Sequence, residues 1–133
     1  MKVDGRCHCG RITYEAIAET TMAGICHCSD CQMLTGSAYR VTVPVASETF
    51  VLLSGQPKTY VKTADSGNRR VHAFCPDCGT PIYAAAIENS PTYSLRLGCL
   101  AQRHEFRPVR QQWCKSALPW AMNLESIDRR ERQ

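Results

Sequence analysis

The apolar positions of the chain fall in short runs rich in β-branched and aromatic residues, separated by polar and turn-forming clusters. Such runs cover Arg11–Ala16, Tyr39–Val43, Phe50–Leu53, Thr59–Lys62, Val71–Phe74, Pro81–Ala85 and Tyr93–Leu97. The stretches Ser54–Pro57 (SGQP) and Asp65–Asn68 (DSGN) carry the residues that close tight turns. The pattern predicts a mainly β chain of antiparallel strands. One short helix is expected over Ser29–Leu34, with Ser29 as its N-cap and Gly36 as its stop, and it would carry Cys31. There is no internal repeat, linker or low-complexity segment, and the charged end Asp128–Gln133 reads as a solvated tail.

Composition narrows the picture. A length of 133 residues predicts a single domain spanning 1–133, and 44% hydrophobic with 21% charged residues is the balance of a folded globular chain. The first ten residues contain no apolar signal segment, and no apolar run reaches the ~18 residues of a membrane span, so a cytoplasmic protein without a membrane partner is expected. Nine cysteines are many for a reducing compartment, and an odd number suits metal binding or thiol chemistry better than a disulfide framework. The formal charge of +4 comes from scattered basic residues, with no Lys/Arg block, so no nucleic-acid partner is expected.

The cysteines have a grammar. Cys7-His8-Cys9 and Cys26-His27-Cys28 are both C-x-C, and residues two apart on an extended segment face the same side, so two sulfurs can share one metal ion. Cys31 adds a third thiol close to the second pair. Cys75-Pro76-Asp77-Cys78-Gly79 is a metal knuckle: proline fixes φ early in the turn, and the glycine permits a left-handed residue after the second ligand. That knuckle needs two more ligands, from Cys7 and Cys9 or from the Cys26, Cys28, Cys31 trio. Counting favours the former, because it completes four thiolates and leaves a self-contained three, the usual number of protein ligands at a catalytic zinc. Two Zn²⁺ per chain are therefore expected. Seven thiolates around two such ions would lower the formal charge from +4 to +1.

The segments RCHCGRITYEA, CHCSDCQMLTGSAY, FCPDCGTPIY and FRPVRQQWCKSALPW, taken in order, resemble the glutathione-dependent formaldehyde-activating enzyme family, which includes centromere protein V-like proteins. The resemblance implies a zinc-containing β-tent of antiparallel sheets. It also implies a structural zinc on Cys7, Cys9, Cys75 and Cys78, and a catalytic zinc on Cys26, Cys28 and Cys31. The activity implied is of a carbon–sulfur lyase type run in reverse, joining formaldehyde to glutathione to give S-hydroxymethylglutathione, or another aldehyde to a related thiol to give the corresponding hemithioacetal. Two places depart from the family pattern. Gln111-Gln112-Trp113 stands where members usually have His-Ile-Trp, and Leu100-Ala101 stands where Leu-Asp is usual.

The remaining candidates have plainer readings. His8 and His27 lie between ligand cysteines, so on extended backbone they face away from a shared metal. His72 and His104 read as structural, and Cys99 and Cys114 as buried inert thiols. Trp113 and Trp120 are expected to cover the core. Arg40, Arg69 and Arg70 are the arginines available to hold the carboxylates of a peptide-like thiol. The competing function is a non-catalytic zinc-binding scaffold or interaction module, since a fold does not dictate a function.

Overall fold

All seven apolar runs become strands in a computed structural model that describes residues 1–133. The strands are β1 (Lys2–Arg6), β2 (Thr13–Ile17), β3 (Gly24–Cys26), β4 (Arg40–Ala46), β5 (Val51–Ser54), β6 (Lys58–Thr63), β7 (Arg69–Phe74), β8 (Pro81–Ala86), β9 (Thr92–Arg96) and β10 (Arg110–Gln112). The helix α1 occupies Ser29–Thr35. Its N-cap is Cys28 rather than Ser29: the Cys28 sulfur accepts from the Cys31 N–H at 3.3 Å, so the cap is itself one of the trio. Gly36 ends the helix at φ 62° as expected.

The strands form a three-stranded sheet, β1-β2-β5, and a seven-stranded sheet, β10-β3-β4-β9-β8-β7-β6. Every pairing is antiparallel except β10 with β3, which runs parallel. No helix is long and apolar enough to cross a membrane.

The sheets bury their facing sides against each other. Val3, Tyr14 and Ala16 of the small sheet meet Val43, Val45, Ile82 and Leu95 of the large one in a continuous apolar cluster. Period-two alternation produces this, because each inward residue is flanked by more exposed ones, as in the exposed–buried–exposed–buried–exposed pattern of β1. Gly5 leaves room for the Tyr14 ring directly across the β1–β2 pair. Phe50 joins the aromatic layer, 5.2 Å from Tyr14 and 5.3 Å from Tyr83, while Tyr83 stacks on Tyr93 at 4.4 Å. Cys7 and Cys75 are fully buried in this same cluster.

The opposite face of the large sheet is where charge collects. Residues paired across a ladder share a face, and so do residues two apart on a strand. Cys26 pairs with Arg40; two residues on, Thr42 pairs with Arg96; two back from Arg96, Ser94 pairs with Ala84, which pairs with His72, which pairs with Tyr60. Register alone thus sets the first cysteine of the trio and the residues Arg40, Arg96, His72 and Tyr60 on one side of the sheet, away from the apolar core.

Candidate metal centres

The N-terminal thiols follow β1, and the knuckle thiols follow β7. In the first turn Cys7 N–H bonds to the Ile12 carbonyl at 3.1 Å, and the Ile12 N–H returns to the Cys7 sulfur at 3.3 Å. In the second, Gly79 stands at φ 78°, a conformation that favours glycine, and sends its N–H to the Cys75 carbonyl at 2.8 Å. Thr80 ties the two turns together: its hydroxyl accepts from the His8 N–H at 3.0 Å and lies 3.2 Å from the Cys78 sulfur. The four sulfurs of Cys7, Cys9, Cys75 and Cys78 lie within 4.8 Å of one another, with Cys7 to Cys9 at 3.5 Å and Cys9 to Cys75 at 3.8 Å. Zinc–sulfur bonds of about 2.3 Å in a tetrahedron place neighbouring sulfurs about 3.8 Å apart, so this set fits a zinc ion. Two of the thiols are already biased toward the ligand form. Burial opposes ionisation of Cys7, but the Ile12 N–H and the neighbouring thiols outweigh it and hold Cys7 below its ordinary value. The Thr80 hydroxyl, followed by backbone N–H groups, pulls the Cys78 thiol down to about 5.

Cys26, Cys28 and Cys31 form the second group, their sulfurs also within 4.8 Å of one another. Cys26 ends β3, Cys28 caps α1 and Cys31 is in its first turn, so one strand-to-helix junction brings the three sulfurs together. No other His, Cys, Asp or Glu joins them. Burial opposes ionisation of Cys28, but the Cys31 N–H and the neighbouring thiols outweigh it, and the Cys28 thiol lies below its ordinary value. Burial and the adjacent Cys28 push the Cys31 thiol up to about 12. Three thiols at this spacing suit a soft divalent cation such as zinc.

The parallel strand β10 straps this junction in place. His27 is fully buried between the two ligand cysteines and faces away from the group, as its spacing required. Its Nε2 is 2.7 Å from the Gln111 side-chain oxygen, its ring meets Tyr39 edge-on at 5.4 Å, and its Nδ1 is buried without a partner. Gln32 of α1 donates to both the His27 carbonyl at 2.8 Å and the Ser116 carbonyl at 2.9 Å. Gln111, one of the departures from the family pattern, thus serves as the partner of a buried histidine. Trp113 follows the strap at φ 59° and, with Cys28, Lys62 and Lys115, lines a cavity of about 420 Å³. Lys62 is held by Asp30 at 2.9 Å.

Several expectations need correction. Trp113 and Trp120 do not cover the core, for each is 54% exposed, and Trp113 is a cavity wall instead. Cys114 is exposed rather than buried. Cys99 is partly buried and donates to the Pro81 carbonyl at 3.2 Å, and burial pushes its thiol up to about 11. His8 and His104 are exposed. His72, read from the sequence as structural, lies between two buried arginines: its Nδ1 is 3.1 Å from Arg96 and 3.4 Å from Arg40. Arg96 and Lys62 were not singled out by sequence. The one signal for Arg96 was a charge inside an otherwise strand-forming run.

No protein of curated description matches the chain in sequence. A crystal structure of a Rhodobacter sphaeroides protein, a structural-genomics target, superposes with a TM-score of 0.62 at 20% identity, over 84% of this chain and 99% of that one, which establishes a shared fold. The sequence model described as "Glutathione-dependent formaldehyde-activating enzyme" matches residues 2–116, a span that contains both thiol groups and the β10 strap. With that match over most of its length, the chain belongs to the glutathione-dependent formaldehyde-activating enzyme family.

Proposed function

We propose that this chain is a zinc-dependent enzyme of carbon–sulfur lyase type that joins glutathione, or a closely related thiol, to formaldehyde or another small aldehyde. Membership of the family implies glutathione-dependent formaldehyde activation. Cys7, Cys9, Cys75 and Cys78 hold a structural zinc, and Cys26, Cys28 and Cys31 hold the catalytic one. The observation that carries this reading is the count at the second group: three thiols within 4.8 Å of one another, no fourth His, Cys, Asp or Glu, and Cys28 opening on a cavity of about 420 Å³. A closed four-ligand site marks structural zinc, whereas three protein ligands leave a place for substrate.

A zinc ion held by three thiolates supplies a centre of net charge −1, suited to receiving a soft thiolate rather than to generating hydroxide. The protein's own groups do the positioning. The Cys31 N–H holds the Cys28 sulfur as an acceptor at 3.3 Å, which fixes the turn that presents the trio. Lys62, paired with Asp30, and Lys115, with Asp65 opposite in charge, line the cavity together with the half-exposed ring of Trp113, so both signs of charge are available there to orient a zwitterionic thiol. In the reaction, the thiol sulfur forms a bond to the carbonyl carbon, the carbonyl π pair moves to oxygen, and the thiol proton ends on that oxygen; nothing is oxidised or reduced. Because the two reactants combine unaided, most of the enhancement must come from holding them together.

Exchange NMR of adduct formation from glutathione and formaldehyde tests the proposal. The zinc-loaded protein should raise the rate above buffer, and Cys31→Ser should return it to the buffer value. An unchanged rate with fully zinc-loaded wild-type protein would leave a zinc-binding module without this activity.

A further inference from the structure

The face of the large sheet that bears Cys26 also holds two arginines that lack any acidic partner. Arg40 and Arg96 are 6% and 7% exposed, and neither takes part in an ion pair. Each guanidinium makes a single side-chain hydrogen bond, and both bonds go to the same atom, His72 Nδ1. The Nε of each is buried with no partner at all. An imidazole nitrogen offers one lone pair, so most of the ten guanidinium N–H donors of the pair are left to another acceptor. Buried charges and donors in native proteins are matched, and an unmatched pair facing one cavity points to something that binds there.

The cavity is defined. It has a volume of about 310 Å³ and is walled by Arg40, Arg96 and His72 on the polar side and by Leu34, Tyr60 and Phe74 on the other. His72 can only accept from the arginines, and burial followed by the Arg96 and Arg40 charges keeps it neutral, with its pKa lowered to about 4. It therefore orients the two guanidiniums without neutralising them. A divalent cation on the trio leaves one net negative charge nearby, which is less than two buried guanidiniums require.

We infer that this cavity is a carboxylate subsite, in which the guanidiniums of Arg40 and Arg96 together grip a carboxylate of the thiol substrate. The planar fork of arginine matches a carboxylate in a bidentate manner, and charge-assisted bonds of this kind are the strong ones. Distance allows it. Cys26 of the trio and Arg40 are directly paired across β3 and β4, with Cβ atoms of such a pair about 5 Å apart, while an extended tripeptide reaches on the order of 10 Å. A thiol held at the trio would thus carry a terminal carboxylate into the cavity. The inference rests on the proposed function for the identity of the ligand, and it assigns the specificity for an acidic peptide thiol over a small neutral one.

Calorimetry on the zinc-loaded full chain separates this subsite from the chemistry. S-methylglutathione keeps both carboxylates but has no thiol to ionise, and its diethyl ester removes the charges. The acid should bind at least about tenfold more tightly than the ester. Arg96→Gln should erase that preference, and Arg96→Lys should recover part of it. The ester comparison needs no variant, so a failure of Arg96→Gln to fold does not block the test. Equal binding of acid and ester would overturn the subsite, and if glutathione still accelerates adduct formation the proposed function survives alone. Carboxylate-dependent binding with no effect on adduct formation would keep the subsite and remove the proposed function. No binding of either ligand at millimolar concentration would remove the subsite outright.

Discussion

The two thiol groups use the same element at similar spacing, yet they are built in opposite ways. The four-thiol group joins turns from opposite ends of the fold, with Cys9 and Cys75 separated by 66 positions, and two of its members lie in the apolar core at 0% exposure. The trio spans six consecutive positions at one strand-to-helix junction, and its most buried member still shows 9% exposure. A metal that ties distant segments together contributes to folding, because the unfolded chain has no preformed site. A metal held by one local turn adds little to the global fold and leaves its outer side available.

Removing one ligand from each group breaks the comparison most sharply. Cys75→Ser should abolish cooperative thermal unfolding, since structural zinc sites contribute on the order of 10 kcal/mol. Cys31→Ser should retain a cooperative melt within about 2 kcal/mol of wild type, while bound zinc measured by elemental analysis falls from two ions per chain to one. Equal loss of folding in both variants would make the trio structural too.

A finer cut goes through the strap. Gln111→Leu removes the acceptor for His27 Nε2 and leaves both ring nitrogens buried without partners. The expected cost is about 1–3 kcal/mol in thermal or urea unfolding. Zinc competition with a chromophoric chelator should show the trio weakened and the four-thiol group unchanged. An equal effect on both groups would mean that the strap supports the whole fold rather than this junction.

The smallest effect concerns the charged face. In the fold His72 titrates near 4, while in the unfolded chain it takes the ordinary value of about 6.5. The unfolded state therefore binds the proton more readily between these values. The contribution is fully present above about pH 6.5 and is lost progressively as pH falls toward 4. His72 is only half-buried, so solvent screening keeps the effect below about 1 kcal/mol. It is read as the difference between wild type and His72→Gln in urea midpoints across that range. A variant whose pH dependence matches wild type would place the acid sensitivity elsewhere, foremost in the ligand thiols.

What could be read from the sequence follows the range of the interactions. Local signals worked: the alternating runs became strands β2 and β4 to β9, the helix began at Ser29, and the cysteine spacings grouped the seven sulfurs as counting had favoured. The strands β1, β3 and β10 carried no such signal. β3 and β10 are three residues each, and β10 exists only because it pairs in parallel with β3 from more than eighty positions away. The cap shifted to Cys28 because a thiol can accept the N–H that a hydroxyl one place later was expected to take. Arg96, His72 and Gln111 were opaque for the same reason, since their meaning lies in cross-strand register and not in neighbouring letters.

The spacing of the two groups also sets an order in time. Translation completes the trio once Cys31 has emerged, whereas the four-thiol group must wait for Cys78, 47 positions later. At roughly 5–20 residues per second, that is a delay of about 2–10 s. During this interval the growing chain already presents three closely spaced thiols, with Cys7 and Cys9 beside them and the knuckle not yet made. The local group therefore has the first opportunity to capture metal on the ribosome. A metal on the four thiols, which would fasten the two sheets together, can be bound only after Cys78 has emerged.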